Sequence, residues 1–201
     1  LQSASYLAMT EDAVLNSGIC FSKSQNVFTI PGNQACCLPD GLAAEGDWSG
    51  AAFFLCAGAL SETGIFASGL QETSRQADRA VLELLSRFGA EVRAETGGVF
   101  VRKSSLHGID IDAGAIPDLI PIAAVAAYAE GETNITNAAR LRLKESDRLH
   151  TVAETIKSLG GQAKELPDGL VITGTPRLAG GTADSFGDHR IAMLAAVLAG
   201  G

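Results

Sequence analysis

Apolar residues along this chain fall into two kinds of helical run that alternate. In "VLELLSRFGAEV" (81–92) and "TVAETIKSLGGQA" (151–163) they recur three and four positions apart, and each run ends at glycine. That spacing lines one face of an α-helix, and glycine supplies the left-handed residue that closes it. The second kind is rich in small residues: "GDWSGAAFFLCAGALSETG" from Gly46, "PDLIPIAAVAAYAEGETNI" from Pro117 and "GDHRIAMLAAVLAGG" from Gly187. A helix apolar nearly all round belongs in an interior. After each amphipathic run come two short extended stretches, with Gly97-Gly98 or Pro167-Asp168-Gly169 as turn residues between them.

These landmarks repeat at about 70 residues. Asp47, Asp118 and Asp188 each precede an Ala-rich run, and "MTEDAVLNSGIC" (9–20) with "SKSQNVFTI" (22–30) reads as an earlier, degenerate copy. Each unit predicts helix, two short strands, a further extended stretch, Ala-rich helix and strand. The expected architecture is α/β, with units too small to bury their own faces packing round a shared core, Ala-rich helices inside. An aspartate ahead of a helix is by default its N-cap, which is the first reading of Asp47 and Asp188. Like-oriented units would bring several helix N-termini to one end of the core, where half-charges and free N–H groups attract anions.

Charge sharpens this picture. The chain of 201 residues carries a formal net charge of −8, against the spread of cations that a nucleic-acid face needs. Yet "RLRLKESDRLHTV" (140–152) gathers Arg140, Arg142, Lys144 and Arg148, and Arg190 follows in "GDHRIAM". Local cations in an acidic chain suit a small, multiply charged anion. A solvated approach to the helix at 147–159, capped by Asp147, is the plainer alternative, and Arg142 is read as structural or surface.

Other classes drop out. The apolar run 119–129 is too short for a bilayer, and the N-terminus does not read as a signal peptide. No phosphate-binding glycine motif or metal-spaced His, Cys and Asp set occurs, so neither cofactor nor metal is expected. The four cysteines are expected to be buried thiols of a cytoplasmic protein. His107 and His150 are expected at the surface, His189 as an orienting group beside Arg190, and Trp48 in packing. A chain that starts without Met and stops inside a helical pattern reads as a fragment.

"LRLKESDRL" (141–149), "GDHRIAM" (187–193), "IPDLIPIAA" (116–124) and "EGDWSGAAFFL" (45–55) together resemble the 5-enolpyruvylshikimate-3-phosphate synthase family. The resemblance runs through essentially the whole chain in order. It implies an enolpyruvyltransferase-like inside-out α/β fold, two domains of βαβαββ units with parallel helices inside and sheets outside. Residues 1–42 would end one domain and 43–201 would form most of the other. The N-terminal half and a C-terminal tail would lie outside this chain. The implied reaction joins phosphoenolpyruvate to the 5-hydroxyl of shikimate 3-phosphate and releases phosphate, with no cofactor.

The resemblance also implies roles. Asp118 takes the hydroxyl proton, Lys144 lies at the reacting centre, and Glu145 serves proton transfer at the methylene carbon. Arg148 and Arg190 bind phosphoenolpyruvate, while Ser3 and Tyr6 hold shikimate 3-phosphate. Arg140 stands where some members carry asparagine. Two alternatives stay open: the related enolpyruvyltransferase acting on UDP-N-acetylglucosamine, against which the K-E-S-D-R and D-H-R pair argues, and a non-catalytic anion-binding domain of the same fold.

Overall fold

Each amphipathic run closes where its glycine allows. The computed structural model describes residues 4–116, 118 and 120–201. Helix α3 (Val81–Phe88) ends at Gly89 with φ of 96°, and its Val81, Leu84, Leu85 and Phe88 are buried. Helix α5 (Arg148–Ser158) is followed by Gly160 with φ of 88°. The hairpins stand where the turn residues put them, β4 (Glu91–Glu95) with β5 (Gly98–Arg102) and β8 (Gln162–Leu166) with β9 (Gly169–Thr173). The degenerate first copy gives α1 (Ala4–Asn16) and the small hairpin β1 (Ser22–Ser24) and β2 (Val27–Thr29).

The Ala-rich runs become α2 (Trp48–Leu60), α4 (Ile122–Tyr128) and α6 (His189–Ala199), which pack against one another at the centre. Strands β3 (Ile65–Ser68), β6 (Asp110–Asp112) and β7 (Glu132–Thr136) complete two outer sheets. One has strand order β3-β5-β4 and the other β6-β7-β9-β8, antiparallel except for β6 with β7. Val99 and Val101 of β5 turn inward, while Arg93 lies over the Phe100 ring on the outer face at 4.5 Å. Helices inside and sheets outside is thus the observed layering of residues 48–199, the α/β arrangement expected.

Small residues in α2 let the sheet approach its backbone. A Cβ on Gly58 would stand 2.8 Å from the Val101 carbonyl oxygen and 3.2 Å from Ile65. Trp48 is fully buried at the head of α2, a packing residue, and its indole N–H has no hydrogen-bond partner among the described residues.

Residues 4–42 are built differently. Helix α1 buries no residue, and Leu15, Val27, Ile30, Leu38 and Leu42 are all more than half exposed. The cysteine expectation fails here. Cys56 is buried in α2, where burial pushes its thiol pKa up, but Cys20, Cys36 and Cys37 are exposed. Apolar sequence neighbours suggested burial, yet Cys20, Cys36 and Cys37 lie in loop outside any helix or strand, so no regular face carries them inward. His107, His150 and His189 are exposed.

Gly58→Ala tests the close packing. Alanine in place of glycine favours a helix by about 1 kcal/mol, but overpacking a core costs about 1–3 kcal/mol. The second effect should win, lowering the urea midpoint; a variant as stable as the parent would show that α2 and β5 have room to separate.

Candidate active site

Three repeat aspartates have two different fates. Asp47 caps α2, accepting from Ser49 N and Gly50 N at 3.0 Å each, and Asp188 caps α6, accepting from Arg190 N at 2.9 Å. Asp118 caps no helix among the described residues. Helix α4 starts only after Pro121, so its head carries no side-chain cap and Asp118 stands upstream of it. The freed carboxylate is 6 % exposed and collects cations instead.

Arg148 Nη1 donates to Asp118 Oδ1 at 3.0 Å, Lys144 Nζ lies 3.4 Å from the same oxygen, and Arg190 Nε lies 3.9 Å away. The Tyr6 hydroxyl of α1 donates to Oδ2 at 3.0 Å, and Arg190 Nη1 reaches the Asp118 carbonyl at 3.4 Å. Residues from three other stretches therefore share the Asp118 carboxylate. Burial works against the charged form of Asp118, but Lys144, the Tyr6 hydroxyl, Arg190 and Arg148 outweigh it and hold the pKa below the usual carboxylate range. Burial together with the Asp118 charge pushes the Tyr6 phenol up to about 12.

Arg148 is the buried member of the set, its side chain 1 % exposed. Its Nε donates to Asp188 Oδ2 at 2.9 Å and its Nη2 to Glu145 Oε2 at 2.6 Å, besides the bond to Asp118. Ser146 Oγ also donates to Asp188 Oδ2 at 3.0 Å. Asp188 thus caps α6 with one oxygen and receives the first residue of α5 with the other. Burial raises the cost of its charge, yet the bonds from Arg148 and the Arg190 N–H prevail and lower its pKa. Glu145 is half exposed, and Lys144 and Arg190 retain 27 % and 19 % exposure. Those two are the cations of the set that face solvent.

The K-E-S-D-R loop is held from behind. Arg142, near the end of the 3-10 turn Ala139–Leu143, donates to Asp147 at 2.8 Å, Glu165 at 2.7 Å and the carbonyls of Leu166 and Pro167 at 2.7 and 3.1 Å. It is a strut between loop and hairpin, as its assignment to structure implied. Asp147 caps α5 through His150 N at 3.3 Å.

Beside this cluster lies a cavity of about 160 Å³, lined by Tyr6, Asp47, Ser49, Gln76, Asp78 and Arg190 among others. The heads of α2 and α6 both open onto it, so helix N-termini do meet at one end. Asp78 escaped the sequence reading. It is 6 % exposed and accepts from Ser49 Oγ; "RQADRAV" offered only an aspartate beside a helix, with nothing to distinguish it from a cap. Ser3 lies outside the described residues. Among the described residues no cluster of His, Cys, Asp and Glu could hold a metal ion.

The family model for EPSP synthase (3-phosphoshikimate 1-carboxyvinyltransferase) matches residues 1–201. The chain belongs to the EPSP synthase family. It is 43 % identical over 201 residues to a 3-phosphoshikimate 1-carboxyvinyltransferase of Clostridium acetobutylicum, covering 99 % of this chain and 46 % of that protein. The protein of that name from Methanocaldococcus jannaschii is 38 % identical over 195 residues, covering 96 % and 45 %. The solved EPSP synthase of Acinetobacter baumannii superposes with a TM-score of 0.77 at 28 % identity, over 94 % of this chain and 47 % of that one. The enolpyruvyl transferase NikO from Streptomyces tendae, at 19 % identity and a TM-score of 0.69, shares the fold. The chain spans about half the length of the curated EPSP synthase relatives it matches.

Within this member of the EPSP synthase family, the carboxylate cage should dominate acid sensitivity. Asp118 and Asp188 have lowered folded pKa values, so their stabilisation is present above the unfolded value of about 3.9 and disappears as pH falls through the folded values. The urea midpoint should stay level from pH 7 to 5 and drop below pH 4. Asp188→Ala, which strips a buried charge of its partner, should cost about 3–5 kcal/mol at pH 7 and flatten that drop.

Proposed function

We propose that this chain carries the phosphoenolpyruvate side of a carboxyvinyl-transfer site, and that the whole protein transfers the enolpyruvyl group of phosphoenolpyruvate to the 5-hydroxyl of shikimate 3-phosphate, releasing phosphate. The observation that supports it is the convergence of Lys144, Arg148, Arg190 and Tyr6 on the Asp118 carboxylate, at the end of the core where the Ala-rich helices begin.

In this reading Asp118 is the base. Its lowered pKa keeps it ionised at neutral pH, the form that accepts the 5-hydroxyl proton. The cations that lower its pKa also make it a weak base. Substrate phosphate and carboxylate groups would draw Lys144 and Arg190 toward themselves, which restores basicity to Asp118 as the proton leaves the hydroxyl. Arg190, part exposed and loosely held, is the arginine free to meet phosphoenolpyruvate. Arg148 contributes through its fixed positive charge, and reaches substrate directly only if the half-exposed Glu145 swings aside. Glu145, once released, stands ready for proton transfer at the methylene carbon. Tyr6 and Ser3 would hold shikimate 3-phosphate, the Tyr6 hydroxyl shifting from Asp118 to the ligand.

The opposing wall of the cleft would come from the half of the protein outside these residues, which would also cover the exposed apolar side chains of 4–42. Residues 1–42 would then finish one domain and 43–201 most of the second.

Two measurements test this. Arg190→Ala in the full-length protein removes charge-assisted bonds worth about 1.5–3 kcal/mol each, so kcat/KM for phosphoenolpyruvate should fall about tenfold to a hundredfold; an unchanged value would remove Arg190 from the site. The purified 201-residue chain alone should release no phosphate from phosphoenolpyruvate with shikimate 3-phosphate. Turnover by it would show that the second wall is dispensable.

A further inference from the structure

Asp78 is a buried carboxylate for which the reaction above has no use. It sits in the 3-10 turn Ala77–Ala80, with Ser49 Oγ donating to its Oδ2. Two residues earlier, Gln76 accepts the Trp48 N–H at 2.8 Å and donates to the Gly46 carbonyl at 2.9 Å, so this segment clasps the head of α2. A clasp accounts for Gln76 and for Ser49. It does not account for an ionisable group, because an amide oxygen would accept from Ser49 equally well.

The surroundings of Asp78 suggest why the group can ionise. It lines the cavity that Arg190 enters, and charged or titratable groups face it from each neighbouring element. These are Tyr6 on α1, Asp47 at the head of α2, Asp118 ahead of α4 and Arg190 at the start of α6. Arg190 is the cation on this cavity's lining. An anion placed against Arg190 in this cavity would therefore find a second, part-desolvated anion on the same lining.

Resting on the reading of Arg190 as the residue that meets phosphoenolpyruvate, we propose that Asp78 takes up a proton when that ligand binds. Asp78 is thus a positioning residue, acting through Arg190: neutral, it no longer competes with the ligand for the guanidinium. Burial already pushes its carboxyl up; the Ser49 hydrogen bond resists, Asp118 pushes further, Arg190 resists and Asp47 pushes again. A bound anion cancels the Arg190 influence and adds a repulsion, so both changes favour the protonated form. By linkage the proton strengthens anion binding to the same degree.

The experiment is calorimetric titration of the full-length protein with phosphoenolpyruvate alone, which leaves no acceptor for turnover, in two buffers of different ionisation enthalpy. The parent should take up protons on binding, with an uptake that fades as pH rises beyond the range in which the buried carboxyl holds its proton. Asp78→Asn keeps an acceptor for Ser49 and removes the charge. It should take up fewer protons, and at pH 8 should bind about three- to tenfold more tightly, because the charge facing the ligand is gone. Equal uptake in parent and variant overturns the inference and leaves the site reading standing; absence of binding by the parent overturns both. If Asp78→Asn does not fold, the carboxyl carbon resonance of Asp78 in the parent decides. Its titration midpoint must rise when phosphoenolpyruvate is added, and an unmoved midpoint rejects the proposal.

Discussion

A guanidinium sunk in protein is tolerable only if carboxylates surround it, and this constraint at Arg148 organises the rest of the site. Removing an ion from water costs several kcal/mol unless geometry and hydrogen bonds offset it. Arg148 meets that demand by bonding to Asp188, Asp118 and Glu145. Each partner belongs to a different part of the chain, so satisfying one charge ties the first turn of α5 to the cap of α6 and to the segment before α4. Bidentate and forked donors of a planar guanidinium suit such a junction; a lysine ammonium would not span it.

Once that junction exists, the other cations have little freedom. Lys144 lies four residues before Arg148 on a loop strutted by Arg142, and Arg190 follows the capping Asp188 by two residues. Both are carried to Asp118 by the same framework. The result is a site whose positive charges are balanced in place by its own carboxylates. On the function proposed, an incoming anion would compete with Asp118 and Glu145 for their cations, and the part-exposed Lys144 and Arg190 would yield more readily than the buried Arg148. Anion recognition, as proposed, would be an exchange of partners rather than the filling of a bare positive hole.

The repeat explains how such a site arises from ordinary parts. Asp47 and Asp188 retain the capping role that a residue at a helix head has by default. In the middle unit Pro121 delays the helix, and the aspartate left behind becomes the hub. Small residues inside α2 let helix and sheet approach closely, the heads of α2 and α6 open onto one cavity, and residues 4–42 contribute Tyr6 to the hub without a core of their own.

Periodicity, glycine positions and the 70-residue repeat were enough to place both hairpins, the amphipathic and Ala-rich helices and their inside position, because these follow from local backbone preference and from which faces are apolar. The K-E-S-D-R and D-H-R stretches, with Asp118 upstream, contain the cations and carboxylates that the fold brings together. Three things waited for tertiary structure. Asp118 and Asp188 look alike in sequence, and only packing shows that one caps and clamps while the other collects charge. Arg148 and Arg190 look equivalent, and only burial separates the enclosed guanidinium from the accessible one. Asp78 and the exposed cysteines carry no local signal at all. In each case the deciding quantity is how far a group is removed from water and which distant residues replace it, and no stretch of sequence a few residues long contains that information.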